Sequence, residues 1–274
     1  MDNQTSKFIE TSVGRLKVGL SGPRHGPLAF MWPSLFTDGS ATWGLQLDGL
    51  HGLGWRTALV DPPGHGASGP APREFSMRQC GQAALAILDE LGVQRAAFLG
   101  VSWGGFVALH VALEAPDRVV ALVLSNTSSQ RMPTTARMRD AALAKMIRNG
   151  FPGGLGKVAV EGLLGARARG DDPASAQQLA KLIDAFDKVG LARSASSVLV
   201  GRESIAADIH RIHAPVLLIA GGADQALPPS HAEQIAREIS GAQLHIIPEV
   251  GHLAPREAPA AFARLLADFL PPTA

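Results

Sequence analysis

Tyrosine is absent from this 274-residue chain, cysteine occurs once, and aromatic residues make up only 5% of it. The single cysteine, Cys80, excludes an internal disulfide and reads as a small buried hydrophobe. A formal net charge of +1 leaves neither a basic field for nucleic acid nor an acidic tail. No stretch approaches the roughly 20 consecutive apolar residues that a membrane-spanning helix requires. The opening Met1-Asp2-Asn3-Gln4-Thr5-Ser6 lacks a basic segment followed by an apolar run, so no signal peptide is expected. These absences together predict a soluble cytoplasmic protein, compatible with a homodimer, that binds neither nucleic acid nor membrane. No internal repeat or low-complexity tract interrupts the chain.

Hydrophobic residues make up 46% of the chain and charged residues 18%, a balance that builds a large core and excludes disorder. The length is generous for one domain and short for two, unless one is an insertion. Phe8 to Ser21 alternates as two antiparallel strands turning near Gly14. Further strands are expected at 28–32, 56–60, 96–99, 119–124, 215–220 and 243–247. Helical stretches separate them: one begins near Trp43, and one runs from Ser76, capped with Gln79, to Leu91 and stops at Gly92. Another runs from Phe106 to Leu113, one opens at Ser230 with Glu233 as a second capping box, and one spans about 258–269. Strands alternating with helices indicate a mostly parallel sheet of about eight strands, covered on both faces. Residues 131–205 break the pattern, being rich in Ala, Arg, Lys and Met with no comparable strand. They read as a helical cap of about four short helices inserted after the sixth strand, between core segments 1–130 and 206–274. Its Arg131, Arg137, Arg139, Lys145 and Arg148 read as solvated helix faces.

Gly64-His65-Gly66-Ala67-Ser68-Gly69 matches the dinucleotide fingerprint in letters, with Asp89 about 20 residues on. The chemistry argues against it, because the pyrophosphate needs a helix N-terminus at the glycines. Pro70 and Pro72 follow instead, and Asp89 falls inside a helix. His65 therefore reads as a structural loop histidine, and neither cofactor nor metal is expected.

Gly100-Val101-Ser102-Trp103-Gly104-Gly105 is the informative stretch. A serine flanked by glycines between a buried strand and a helix sits on a sharp turn that close packing would deny to larger residues. An alcohol is a weak nucleophile unless a base takes its proton, and imidazole suits that task. A carboxylate must then fix the imidazole tautomer. Ser102, Asp224 and His252 each follow a strand, so a parallel sheet delivers all three to one edge. His110, His210 and His213 are worse bases by position. A developing oxyanion needs two N–H donors. They are expected from Trp103 and from Leu35 or its neighbour Ser34.

With these residues in place, the chain resembles the α/β-hydrolase fold superfamily over nearly its whole length. Asp61-Pro62-Pro63-Gly64-His65-Gly66-Ala67-Ser68, the serine turn, Ala115-Pro116-Asp117-Arg118-Val119, Gly222-Ala223-Asp224 and Val250-Gly251-His252 carry the resemblance. Pro33-Ser34-Leu35-Phe36-Thr37-Asp38 and Leu124-Ser125-Asn126-Thr127 look like the 3-oxoadipate enol-lactonase branch, which hydrolyses a small enol-lactone without a cofactor. The oxyanion loop departs from most relatives in having Pro33-Ser34 for their His-Gly pair. Trp103 replaces a methionine; a tryptophan there is similar to haloalkane dehalogenases, whose nucleophile is however an aspartate.

The resemblance implies a serine esterase or lactonase, and the absence of tyrosine with only four tryptophans suggests an aliphatic-lined pocket, hence a small, largely apolar substrate. Ser34, Phe36, Trp103, Asn126 and Leu253 are the expected substrate-binding residues. Carbon–carbon bond hydrolysis and cofactor-free perhydrolysis would run on the same triad. A ligand receptor retaining the fold is the reading from outside enzymology.

Overall fold

A computed structural model describes residues 4–270, so Met1, Asp2 and Asn3, read above for a leader, lie outside the described residues. The strands are β1 (Thr5–Thr11), β2 (Gly14–Ser21), β3 (Leu28–Trp32), β4 (Arg56–Val60), β5 (Ala96–Val101), β6 (Val119–Ser125), β7 (Val216–Gly221) and β8 (Gln243–Ile247). They form one sheet in the order β1-β2-β4-β3-β5-β6-β7-β8. β2 runs antiparallel to β1 and β4, and every pairing from β4 through β8 is parallel. Every residue of β3, β5 and β7 is buried, as continuous apolar runs in a doubly covered parallel sheet require. Each fully buried Leu, Val or Phe there contributes about 1.5–3 kcal/mol of transfer free energy.

The helices are α1 (Gly39–Trp43), α2 (Leu47–Gly52), α3 (Met77–Glu90), α4 (Trp103–Glu114), α5 (Thr134–Asn149), α6 (Gly156–Leu163), α7 (Ala166–Asp171), α8 (Pro173–Ala185), α9 (Lys188–Ala195), α10 (Ser230–Glu238), α11 (Ala254–Glu257) and α12 (Pro259–Phe269). None among the described residues is long and apolar enough to cross a membrane. α4 is apolar all round because it lies directly under the sheet, with nine of its twelve residues buried. α3 carries the expected capping box, Ser76 and Gln79 each bonding the other's backbone N–H.

Three local expectations are corrected. The helix placed near Trp43 starts at Gly39, because Asp38 accepts the Ala41 N–H at 2.7 Å and caps it there. Ser230 makes no capping bond: Pro229 occupies the cap position, so Ser230 is already the first helical residue. The insertion between β6 and β7 holds five helices, α5 to α9, ending in a π-turn at Ser196–Val200.

The inserted helices are tied to core loops. The Ser194 hydroxyl donates to Pro63 O at 2.7 Å, and Arg193 Nη1 donates to Ala71 O at 2.6 Å. The His252 N–H donates to Leu163 O at 2.9 Å.

Candidate active site

Ser102 stands alone between the end of β5 and the start of α4, with φ 53° and ψ −106°. A positive φ is strained for a residue with a Cβ and persists only where the surroundings hold it. Here the Ser102 N–H donates to Ser125 O at 2.8 Å, and Ser102 O accepts from Phe106 N at 3.1 Å and Thr127 Oγ1 at 2.9 Å. The flanking glycines are sterically required. A Cβ on Gly100 would overlap the Gly104 backbone, and one on Gly104 would overlap the Trp32 carbonyl. The Ser102 side chain makes no capping bond to α4.

Asp224 follows β7 and His252 follows β8. Their loops touch closely enough that a Cβ on Gly221 would overlap the Gly251 carbonyl. Asp224 Oδ2 lies 2.7 Å from His252 Nδ1, and both residues are buried. That bond puts the ring proton on Nδ1 and leaves Nε2 as an acceptor. Asp224 Oδ1 also receives the N–H groups of Ala226 at 2.8 Å and Leu227 at 3.0 Å, while Oδ2 accepts from Asn126 Nδ2 at 2.9 Å. Burial alone would raise the Asp224 pKa. The charge and hydrogen bond of His252, with the hydrogen bonds from the Leu227 N–H and the Asn126 amide, outweigh it and hold the carboxyl below its ordinary value.

The loop after β3 approaches the same place. Phe36 has φ 69°, and its N–H donates to His65 Nε2 at 3.1 Å, while His65 Nδ1 donates to Pro63 O at 2.9 Å. His65 is thus the loop histidine anticipated, and complete burial pushes its pKa down to about 4. Among the described residues, the backbone N–H groups of Leu35 and Trp103 meet no protein acceptor. Gly64 and Gly66, the first two glycines of the fingerprint motif, have φ 75° and 54° and turn the loop around Asp61, with no helix opening there.

Ser34, Leu35, Phe36, Ser102 and His252 line one cavity of about 460 Å³. The inserted helices supply aliphatic walls, among them Leu143, Leu155, Val158 and Leu163. The Alpha/beta hydrolase family model matches residues 25–265 of this sequence. The chain belongs to the alpha/beta hydrolase family.

Among its relatives, this hydrolase is 30% identical over 233 residues to the pimeloyl-[acyl-carrier protein] methyl ester esterase of Neisseria meningitidis, covering 79% of this chain and 83% of that one. It is 27% identical over 205 residues, 74% of this chain, to the dihydrolipoyllysine-residue acetyltransferase component of the acetoin cleaving system of Pseudomonas putida. The match spans about half, 53%, of that longer protein. The crystal structure of the enol-lactonase of Burkholderia xenovorans LB400 superposes with a TM-score of 0.88 over 96% of this chain and 99% of that one. At 24% identity that is a likeness of fold.

Not every expected contact of the hydrolase is at the cavity. The Trp103 indole is fully buried, stacked on Phe75 at 5.7 Å and edge-on to Trp32, so its side chain is part of the core and only its backbone is available to the site. Asn126, at φ 48°, is turned to Asp224 and to Gly251 O at 3.0 Å, a place that positions the acid. Leu253 is buried outside the cavity lining.

Glu257 was not legible as a site residue. Its Oε2 accepts the N–H groups of Gly165 at 2.8 Å and Gly251 at 2.9 Å, and its Oε1 accepts that of Leu253 at 2.9 Å. One carboxylate on α11 therefore holds both neighbours of His252 and the link between α6 and α7. An acidic residue five positions after the histidine was the only sequence signal for it.

Proposed function

We propose that this chain is a serine hydrolase that cleaves a carboxylic ester or lactone through an acyl-enzyme on Ser102. The observation that carries the reading is the buried 2.7 Å pairing of Asp224 with His252 on a cavity that Ser102 also lines. Ser102 Oγ attacks the carbonyl carbon while His252 Nε2 takes its proton, and Asp224 stabilises the imidazolium that forms. The oxyanion is held by the N–H groups of Trp103 and Leu35, which meet no acceptor among the described residues. The carbonyl re-forms as the C–O bond breaks, and the alkoxide leaves with the proton held by His252. Water, deprotonated by the same nitrogen, then attacks the acyl-enzyme and releases the acid and Ser102.

Support from outside the site comes from the family match and from the esterase relative. The aliphatic cavity wall fits a substrate with a carbon skeleton of modest size. The test is fluorophosphonate labelling with peptide mapping, together with turnover of short p-nitrophenyl esters by wild type and Ser102→Ala. Labelling at Ser102 and loss of turnover in the variant are expected. Folded protein that neither labels nor turns over any ester would overturn the reading.

A further inference from the structure

The cavity contains one group that ester hydrolysis does not explain. Arg202 lies between the π-turn and β7, is only 5% exposed, and lines the cavity with Ser102. Its guanidinium carbon sits 4.0 Å from the centroid of the Phe106 ring. Phe106 is one helical turn after Ser102 on α4, and it also lines the cavity. Nε and Nη2 of Arg202 are buried and have no hydrogen-bond partner. A guanidinium presents five N–H donors in a planar fork, and burying them unpaired is costly unless something else satisfies them.

The nearest charges do not do so. Asp140 lines the same cavity, but its Oδ1 is bonded by Arg139 Nε and Nη2, both at 3.2 Å. Arg202 and Asp140 form no ion pair within 4.0 Å. His231, also within electrostatic reach, is bonded through Nδ1 to Ser128 Oγ at 3.0 Å. Arg139 and Arg202 against Asp140 leave the cavity lining with one positive charge in excess, His252 aside. Burial also pushes the Arg202 guanidinium down to about 10, with Asp140 acting in the opposite sense, so it is charged at neutral pH.

A planar cation stacked on an aromatic ring, with unpaired donors, matches a carboxylate in shape and charge. Resting on the hydrolase reading of Ser102, we propose that Arg202 is an anion-recognition residue and that the substrate is an ester or lactone bearing a free carboxylate. Ser102, Phe106 and Arg202 line one cavity of about 460 Å³, which has room for a short carbon chain between the reacting carbonyl and the carboxylate, with the aliphatic walls around that chain. This amends the expectation of a largely apolar substrate to one that is apolar in the middle and anionic at one end.

The test compares monomethyl esters of succinic, glutaric and adipic acids, which are anionic, with the corresponding neutral dimethyl esters. Wild type should prefer at least one monoester about tenfold or more in kcat/KM. In Arg202→Met, which keeps the length and loses the charge, that preference should fall by about 10- to 100-fold, mainly through KM. Preference for the neutral diesters in wild type, or an unchanged ratio in Arg202→Met, would overturn the proposal.

The wild-type comparison stands even where Arg202→Met fails to fold. Should no ester be turned over, calorimetric titration of wild type with glutarate and adipate separates the two readings. Saturable binding weakened by Arg202→Met keeps the anion site and removes the hydrolase reading, and no binding removes the anion site.

Discussion

The Phe36 N–H donates to His65 Nε2 across 3.1 Å, so a buried neutral imidazole in one loop fixes the loop that carries Leu35. The bond exists only for the tautomer protonated on Nδ1, whose proton goes to Pro63 O. Protonating His65 would destroy the acceptor and bury a charge.

The folded-state pKa of His65 is lowered to about 4 from 6.5, so between those values the unfolded chain binds more protons than the folded one. The contribution is complete above pH 6.5 and is lost as pH falls toward 4, by roughly 3 kcal/mol in full. Urea unfolding of wild type and His65→Gln at pH 5 and pH 7 measures it. The variant keeps a neutral acceptor, so its stability should vary less over that interval. Equal pH slopes would show that His65 does not titrate as described.

Asn126 positions Asp224, so Asn126→Asp should be more damaging than its size suggests. It replaces an N–H donor with a second carboxylate beside Asp224 Oδ2. Asp224 now lies below its ordinary value, and its stabilising contribution is lost as pH falls through that depressed pKa. The variant removes one of the groups holding it down and adds like charge, moving the acid loss of activity to higher pH. A fall in kcat of about 10- to 100-fold with an acid limb displaced upward is expected in a pH–rate profile. An unmoved limb would reduce Asn126 to a packing role.

Much of the molecule was legible because its signals are local. The serine turn is forced by glycines that nothing larger could replace, and the strands are continuous apolar runs. Strand-end placement alone put Asp224 and His252 on one edge. What escaped depends on contacts between distant segments. Arg202 resembles the other basic residues of the insertion until Phe106 is placed beside it, whereas Arg139 is exposed as expected. Trp103 reads as a pocket residue until Phe75 and Trp32 close over it. One signal was present and unread: Leu155, Val158, Ala159, Gly162 and Leu163 recur at helical spacing, and all line the cavity.

Glu257 couples the cap to the His252 loop, and its removal should be felt in catalysis ahead of global stability. Glu257→Ala leaves the N–H groups of Gly165, Gly251 and Leu253 without their acceptor. We expect kcat to fall by about tenfold or more, since His252 is the base of the proposed mechanism and small misplacements of such a group are costly. Glu257→Gln, which retains one oxygen, should recover part of it. Hydrogen exchange at residues 163–165 and 251–253 should quicken together in Glu257→Ala. Faster exchange in only one of the two segments would show that they are not coupled through this carboxylate.

The glycines permit a matched pair of substitutions that separates steric demand from backbone entropy. Gly104→Ala would drive a methyl group into the Trp32 carbonyl at the point where α4 leaves the serine turn. Neither β3 nor α4 can retreat, because both are buried in the sheet and its covering layer. Destabilisation above about 4 kcal/mol, or failure to accumulate as soluble protein, is expected. Gly170 lies in α7 with open space around its Cβ position and no positive φ. Gly170→Ala should therefore stabilise by about 0.5–1 kcal/mol through helix propensity and the unfolded chain. Thermal unfolding of both variants beside wild type reads the contrast directly. A well-folded Gly104→Ala variant with an unchanged melting temperature would mean that the serine turn is looser than its contacts with Trp32 require.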